Sequence, residues 1–188
     1  MRLIDIMTAP WAIVPEKLIE IRTVYETHLR GEKIDLKQLE ARLGEPLAPT
    51  EQGYSVEQGV AIIPIEGVIG KKMNLLTRIS GGASTQLISR DLQAALRDPA
   101  VNQIVLKIDS PGGSVDGTQE LAREVREAAA AKPIIAYADG LMASAGYWIG
   151  AAADEIYISG NTAQVGSIGV VATHVDVSGA EAAMGVKT

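Results

Sequence analysis

The chain reads as an α/β domain, and three observations carry that reading. Apolar strand-like runs at 60–65, 101–108 and 134–138 alternate with segments at 85–97 and 117–131 whose apolar residues recur at helical spacing. The second and third of these runs each empty into a corner made of small residues. With 188 residues and 47% hydrophobic content, one domain can fill a substantial core. Strands joined through helices in this way form a parallel sheet with right-handed crossovers.

Each element follows from its residues. Residues 1–14, with Trp11, several aliphatics and Pro10, read as an irregular arm. Pro15 opens a helix to Leu29 with an apolar stripe of Leu18, Ile19, Ile21, Val24 and Tyr25, and Gly31 stops it. Asp35 caps a second helix over 36–43, ended by Gly44 and Pro46. Residues 44–58 form a linker rich in Pro, Gly and polar groups. The strand at 60–65 contains Pro64, which suggests an edge or a bulge. Residues 70–82 read as a loop. Ser84 caps the helix at 85–97, whose inner face is Leu87, Ile88, Leu92, Ala95 and Leu96, and Asp98-Pro99 breaks it. The helix at 117–131 turns Leu121, Val125 and Ala128 inward, and Lys132-Pro133 closes it. Beyond the second corner, 148–153 reads as a buried helix, 155–159 as a strand, 160–162 as a polar turn and 168–172 as an apolar run.

The corners hold the chemistry. Asp109-Ser110-Pro111-Gly112-Gly113-Ser114 turns the chain sharply and leaves backbone N–H groups without side chains in front of them. The second corner, 139–150, carries one hydroxyl, Ser144, between Ala143 and Ala145-Gly146. Small neighbours let a substrate backbone come close, and a helix start points free N–H groups at it. Such a place suits an attacking oxygen and a developing oxyanion. Ser144 can equally serve as a helix cap.

Three stretches in order, Ser110-Pro111-Gly112-Gly113, Met142-Ala143-Ser144-Ala145-Gly146-Tyr147 and Gly166-Ser167-Ile168-Gly169-Val170, resemble the signal peptide peptidase A family of serine proteases. The resemblance covers roughly 59–188, and the arm with Trp11-Ala12-Ile13 is similar to the phage and prophage branch that processes capsid and scaffold proteins. It implies a ClpP/crotonase-like fold of repeated β-β-α units with an N-terminal helical arm: 1–58 arm and linker, 59–188 peptidase domain, truncated at its C-terminus. It implies Ser144 as nucleophile of a Ser–Lys dyad, the N–H groups of Gly113 and Ala145 as oxyanion donors, and Ser167 as a residue orienting the lysine. The lysine itself is expected beyond residue 188, past the segment 183–187, so Lys187 is a surface residue; Lys107 and Lys132 do not match the motif. A catalytically inactive assembly or interaction module of the same fold is the alternative. A crotonase-type acyl-CoA enzyme is less suited, because the second corner offers no carboxylate base.

Other chemistries find little support. The histidines are His28, on the polar side of the arm helix, and His174, which with Asp176 offers a weak Ser-His-Asp set for Ser144. The hydrolase motif G-x-S-x-G fails at Met142, and at Val165 for Ser167. Asp109 and Asp116 flank the glycine corner as turn formers, and no cluster suggests a metal or other cofactor. A net charge of −6 gives no basic footprint for nucleic acid. Zero cysteines exclude disulfides and thiolate chemistry. No apolar run spans a bilayer, and the first residues, with Asp5 and Pro10, make a poor signal peptide. The family's membrane-bound members carry an anchor that this chain lacks. The expectation is a cytoplasmic protein, in the bacterial host if phage or prophage encoded, acting on protein or peptide substrates as a homo-oligomeric ring.

Overall fold

The computed structural model describes residues 11–14, 53–72 and 82–172. The expected helices at 15–29 and 36–43 lie outside them, as do His28, His174, Asp176 and Lys187.

Three parallel strands form the centre. β3 (Val60–Glu66) pairs with β6 (Gln103–Ser110), and β6 pairs with β8 (Ile134–Ala143). Their period-two pattern buries Ala61, Ile63 and Ile65, then Ile104, Leu106 and Ile108, then Ile134, Ala136 and Ala138 on one face. The other face is only half-covered, so these are amphipathic strands rather than strands buried on both sides. β2 (Ser55–Glu57) adds antiparallel to β3, while β9 (Glu155–Ile158) and β10 (Gln164–Gly166) both add parallel to β8, end to end along the same edge. β2 comes from the stretch expected to be linker. It stops opposite Ile62, so among the described residues Pro64 has a ladder neighbour only in β6, which is how a proline survives inside a sheet.

Two helices cover the buried face. α1 (Thr85–Arg97) starts where Ser84 Oγ accepts the Leu87 N–H at 3.5 Å, and it ends at Asp98 before Pro99. Ile88, Leu92 and Ala95 point inward as expected, but Leu87 and Leu96 are half-buried and Asp91 takes an inner position, held by Arg90 at 3.1 Å. α2 (Thr118–Ala129) buries Leu121, Val125 and Ala128 and packs against α1. Each large side chain removed from water contributes roughly 1.5–3 kcal/mol.

A second, smaller sheet lies at the strand ends. It contains β1 (Trp11–Ile13), β4 (Ile69–Gly70), β5 (Ala83–Ser84) and β7 (Gly112–Ser114), in the spatial order β1-β7-β4-β5. Three expectations change here. Trp11–Ile13 is a buried strand and not irregular; β4 takes the first residue of the expected 70–82 loop and β5 follows its last; and beyond the corner at Pro111, where the chain leaves the large sheet, Gly112–Gly113 lie in a strand. A β-β-α order is thus visible twice: β3-β4 before α1 (with β5 at its start), and β6-β7 before α2.

Candidate active site

β8 carries the chain to the site. Ile108 pairs with Ala138 and Ser110 with Met142, so three residues, 139–141, oppose one, Asp109. The bulge needs Gly140 at φ +105°, and Asp109 Oδ1 fixes it by accepting the Leu141 N–H at 3.1 Å. Asp109 thus lies within β6 and holds the bulge of the neighbouring strand, rather than forming a turn at the glycine corner as expected. β8 then runs on to Ala143, beside β10, and the Ser144 N–H donates to the Gly166 carbonyl at 2.9 Å.

Ser144 itself is strained. It sits at φ 53°, ψ −109°, between β8 and the short helix α3 (Ala145–Gly150). A positive φ on a residue with a Cβ costs about 1–3 kcal/mol and persists where the surroundings impose it. The cap reading fails: Ser144 makes no side-chain cap bond, and Oγ donates to the Gly169 carbonyl at 3.3 Å. This is the strand–strained serine–helix elbow of hydrolases in shape, although Met142 breaks its sequence motif. α3 also begins and ends three residues before the expected 148–153 helix, and Trp148 faces solvent at 38% exposure rather than the core.

The two corners meet. A Cβ placed on Gly112, at φ +103°, would lie 2.9 Å from Ser144 Cβ, and one on Gly146 would lie 3.3 Å from Ser110 Cβ. Ser110 braces the junction by donating from Oγ to the Gly67 carbonyl at 2.7 Å and accepting the Gly112 N–H at 3.1 Å. Glycine at 112 and 146 is what lets the serine corner and the β7 corner come this close. Gly113 lies in β7 and Ala145 opens α3. Ser167, at φ 55° and exposed, follows the Gly166 whose carbonyl holds Ser144. Ser144 is only 5% exposed, and its N–H and Oγ are both bonded to carbonyls of the 166–169 segment.

A base for Ser144 is not found among the described residues, where Oγ bonds only to Gly169. Lys107 pairs with Asp139 at 3.0 Å and Lys71 with Asp116 at 2.7 Å. In each case the hydrogen bond to the carboxylate raises the ammonium pKa, the opposite of what a general base at neutral pH needs. Lys132 donates to the Ala95 and Asp98 carbonyls. No group of three or more metal-ligating side chains occurs among the described residues.

Sequence reasoning missed the bracing by Ser110, the Gly169 acceptor and the closeness of the Trp11–Ile13 strand. The 168–172 run also forms no strand; Val171 makes a single bridge to Trp11, and Ile168 is 83% exposed.

Fold and corner define a class: an α/β domain of β-β-α units presenting a strained serine where a strand meets a helix. The sequence model of peptidase family S49 matches residues 126–188, a span that includes Ser144 and Ser167. The chain carries a domain of that family and is homologous to phage capsid assembly proteases and to protease 4. It is 33% identical over 136 residues to "Capsid assembly protease C" of Escherichia phage lambda, covering 72% of this chain and 31% of that protein. It is 31% identical to "Head-tail preconnector protein GP5" of Enterobacteria phage P21, covering 71% and 26%. "Protease 4" of Salmonella typhi is 39% identical over 107 residues, covering 56% and 17%. The match thus spans about a third or less of each relative. Similar solved structures include an enoyl-CoA hydratase/isomerase family member (TM-score 0.41, 20% identity, 56% of this chain and 46% of that one). Another is a point mutant of ClpP1 from Listeria monocytogenes (0.38, 22%, 49% and 46%). Among the described residues no helix is long and apolar enough to cross a membrane.

Proposed function

We propose that this chain supplies the nucleophile half of a serine endopeptidase that cuts extended protein segments through an acyl-enzyme on Ser144. The observation that carries the reading is the strained Ser144 elbow packed against Gly112, since the strain has no capping role to explain it. Oγ attacks the scissile carbonyl carbon while a base takes its proton. The oxygen of the tetrahedral adduct is held by the N–H groups of Gly113 and Ala145. The base returns the proton to the leaving amine, and water then releases the acyl group. By the family resemblance the base is a lysine C-terminal to residue 188, and Ser167 helps to orient it.

The phage relatives motivate the substrate: head and scaffold proteins, processed in the bacterial host cytoplasm. An oligomeric ring is part of the proposal, and the exposed Ile156 and Ile158, on one face of β9, offer an apolar patch for contact between copies. The test is to express the complete gene product with and without Ser144→Ala and follow cleavage of its head-protein substrate. Loss of cleavage in the variant, with the fold retained, supports the mechanism. Cleavage at the wild-type rate excludes Ser144 as nucleophile. A wild-type protein that binds the head proteins but never cuts them favours the assembly-module reading.

A further inference from the structure

The slot beside Ser144 is already filled by the chain's own residues 11–13. Trp11, Ala12 and Ile13 are 5%, 2% and 2% exposed, and main-chain bonds hold them on both edges. On one edge β1 runs antiparallel to β7, with Val14 N–H donating to the Pro111 carbonyl at 3.0 Å. On the other, Trp11 and Val171 exchange both bonds, at 2.9 and 2.8 Å. An extended segment held by backbone on both sides is how a sheet edge binds a peptide.

The register is specific. Antiparallel pairs alternate between hydrogen-bonded and non-bonded, so the Val14–Pro111 bond makes Ala12 and Gly113 the next bonded pair. The Ala12 carbonyl therefore faces the Gly113 N–H, one of the two proposed oxyanion donors. The Gly112 position places the reacting groups together: a Cβ there would lie 2.3 Å from Ala12 O, 3.0 Å from Ile13 Cα and 2.9 Å from Ser144 Cβ. The Ala12–Ile13 peptide bond and the Ser144 side chain thus both crowd the Cβ position of Gly112.

We propose that β1 is an intramolecular occupant of the peptide-binding groove, set with Ala12–Ile13 where a substrate's scissile bond goes, and that substrate must displace it. The mimicry names the substrate class: an extended segment with a small residue such as alanine at the carbonyl side of the cut, flanked by apolar residues. β1 is only three residues long, so a longer extended substrate can make more ladder bonds than it does.

This inference rests on the protease reading for its meaning, but its test does not use Ser144 chemistry. The chain has no cysteine, so Trp11→Cys with Ser114→Cys introduces a single pair at facing, non-bonded positions of β1 and β7. A fluorescent peptide with the sequence of residues 10–15 is titrated by anisotropy into the oxidised and reduced forms of this one protein, in a Ser144→Ala background. The expected result is that the disulfide forms and that the reduced form binds at least about tenfold more tightly, since a docked arm taxes apparent affinity by the fraction of open groove. Equal affinity in both states, no binding in either, or failure of the disulfide to form in a folded protein overturns the proposal. Ile13→Asp in the otherwise natural chain is the second arm: it should bind the peptide more tightly than wild type, and equal binding counts against the proposal. Failure here leaves the Ser144→Ala cleavage test standing, and failure of that test leaves a binding difference intact.

Discussion

Gly112→Ala concentrates the physics of the site in one methyl group. At φ +103° any Cβ is strained, which costs about 1–3 kcal/mol. The new carbon would also meet Ala12 O at 2.3 Å, Ser144 Cβ at 2.9 Å and Ile13 Cα at 3.0 Å, and overpacking of this kind adds roughly 1–3 kcal/mol. Two of the three neighbours are backbone atoms of β1, so the clash is relieved only by moving that strand off its site, which loses its buried contacts. The sum, about 2–6 kcal/mol, is a large share of the ~5–15 kcal/mol that holds a domain together. The assay is urea unfolding followed by circular dichroism, with Gly160→Ala as the control because nothing lies within 4 Å of its added Cβ. With a slope of about 1–3 kcal/mol per molar urea, the Gly112→Ala midpoint should fall by roughly 1 M or more, while the control stays within about 0.5 kcal/mol of wild type. Equal midpoints for the two variants would refute the close approach of the corners.

Three further outcomes follow from single residues. Ser144→Gly should raise stability by about 1 kcal/mol in the same assay, because glycine accepts φ 53° without strain; no gain would mean that the elbow is relaxed. Ile108→Ala, at a fully buried position in β6 beneath the corner, should cost about 2–5 kcal/mol, and a cost under 1 kcal/mol would contradict the packing. Lys107 is raised by its hydrogen bond to Asp139, so the pair's contribution is fully present below the unfolded-state lysine value and is lost as pH climbs through the higher folded value. Being exposed, the pair contributes little, so Lys107→Met should shift the midpoint only slightly at pH 7, and that small difference from wild type should vanish above the alkaline titration; a large loss at pH 7 would contradict this.

The large sheet was legible because its signals are local. The alternation in 103–108 and 134–138, the Ser84 cap and the Asp98-Pro99 stop act within a few residues of chain. The small sheet was not. β1, β4, β5 and β7 are two or three residues long, and their partners lie far apart in sequence, so no periodicity announces them. Trp11 looked like part of a loose arm because what buries it is contributed by residues a hundred or more positions later. Ser144 was legible as a candidate because a lone hydroxyl among alanine and glycine stands out after a strand. Its positive φ was not, since it follows from the meeting of β8, β10 and β7.

The central claim is that the oxygen of Ser144 attacks. A fluorophosphonate probe applied to the complete gene product, followed by digestion and mass mapping, tests it most directly. One adduct is expected, on the peptide containing Ser144, with none in a heat-unfolded sample. An adduct on Ser167 or on another hydroxyl, or steady peptide cleavage with Ser144 unmodified, would contradict it.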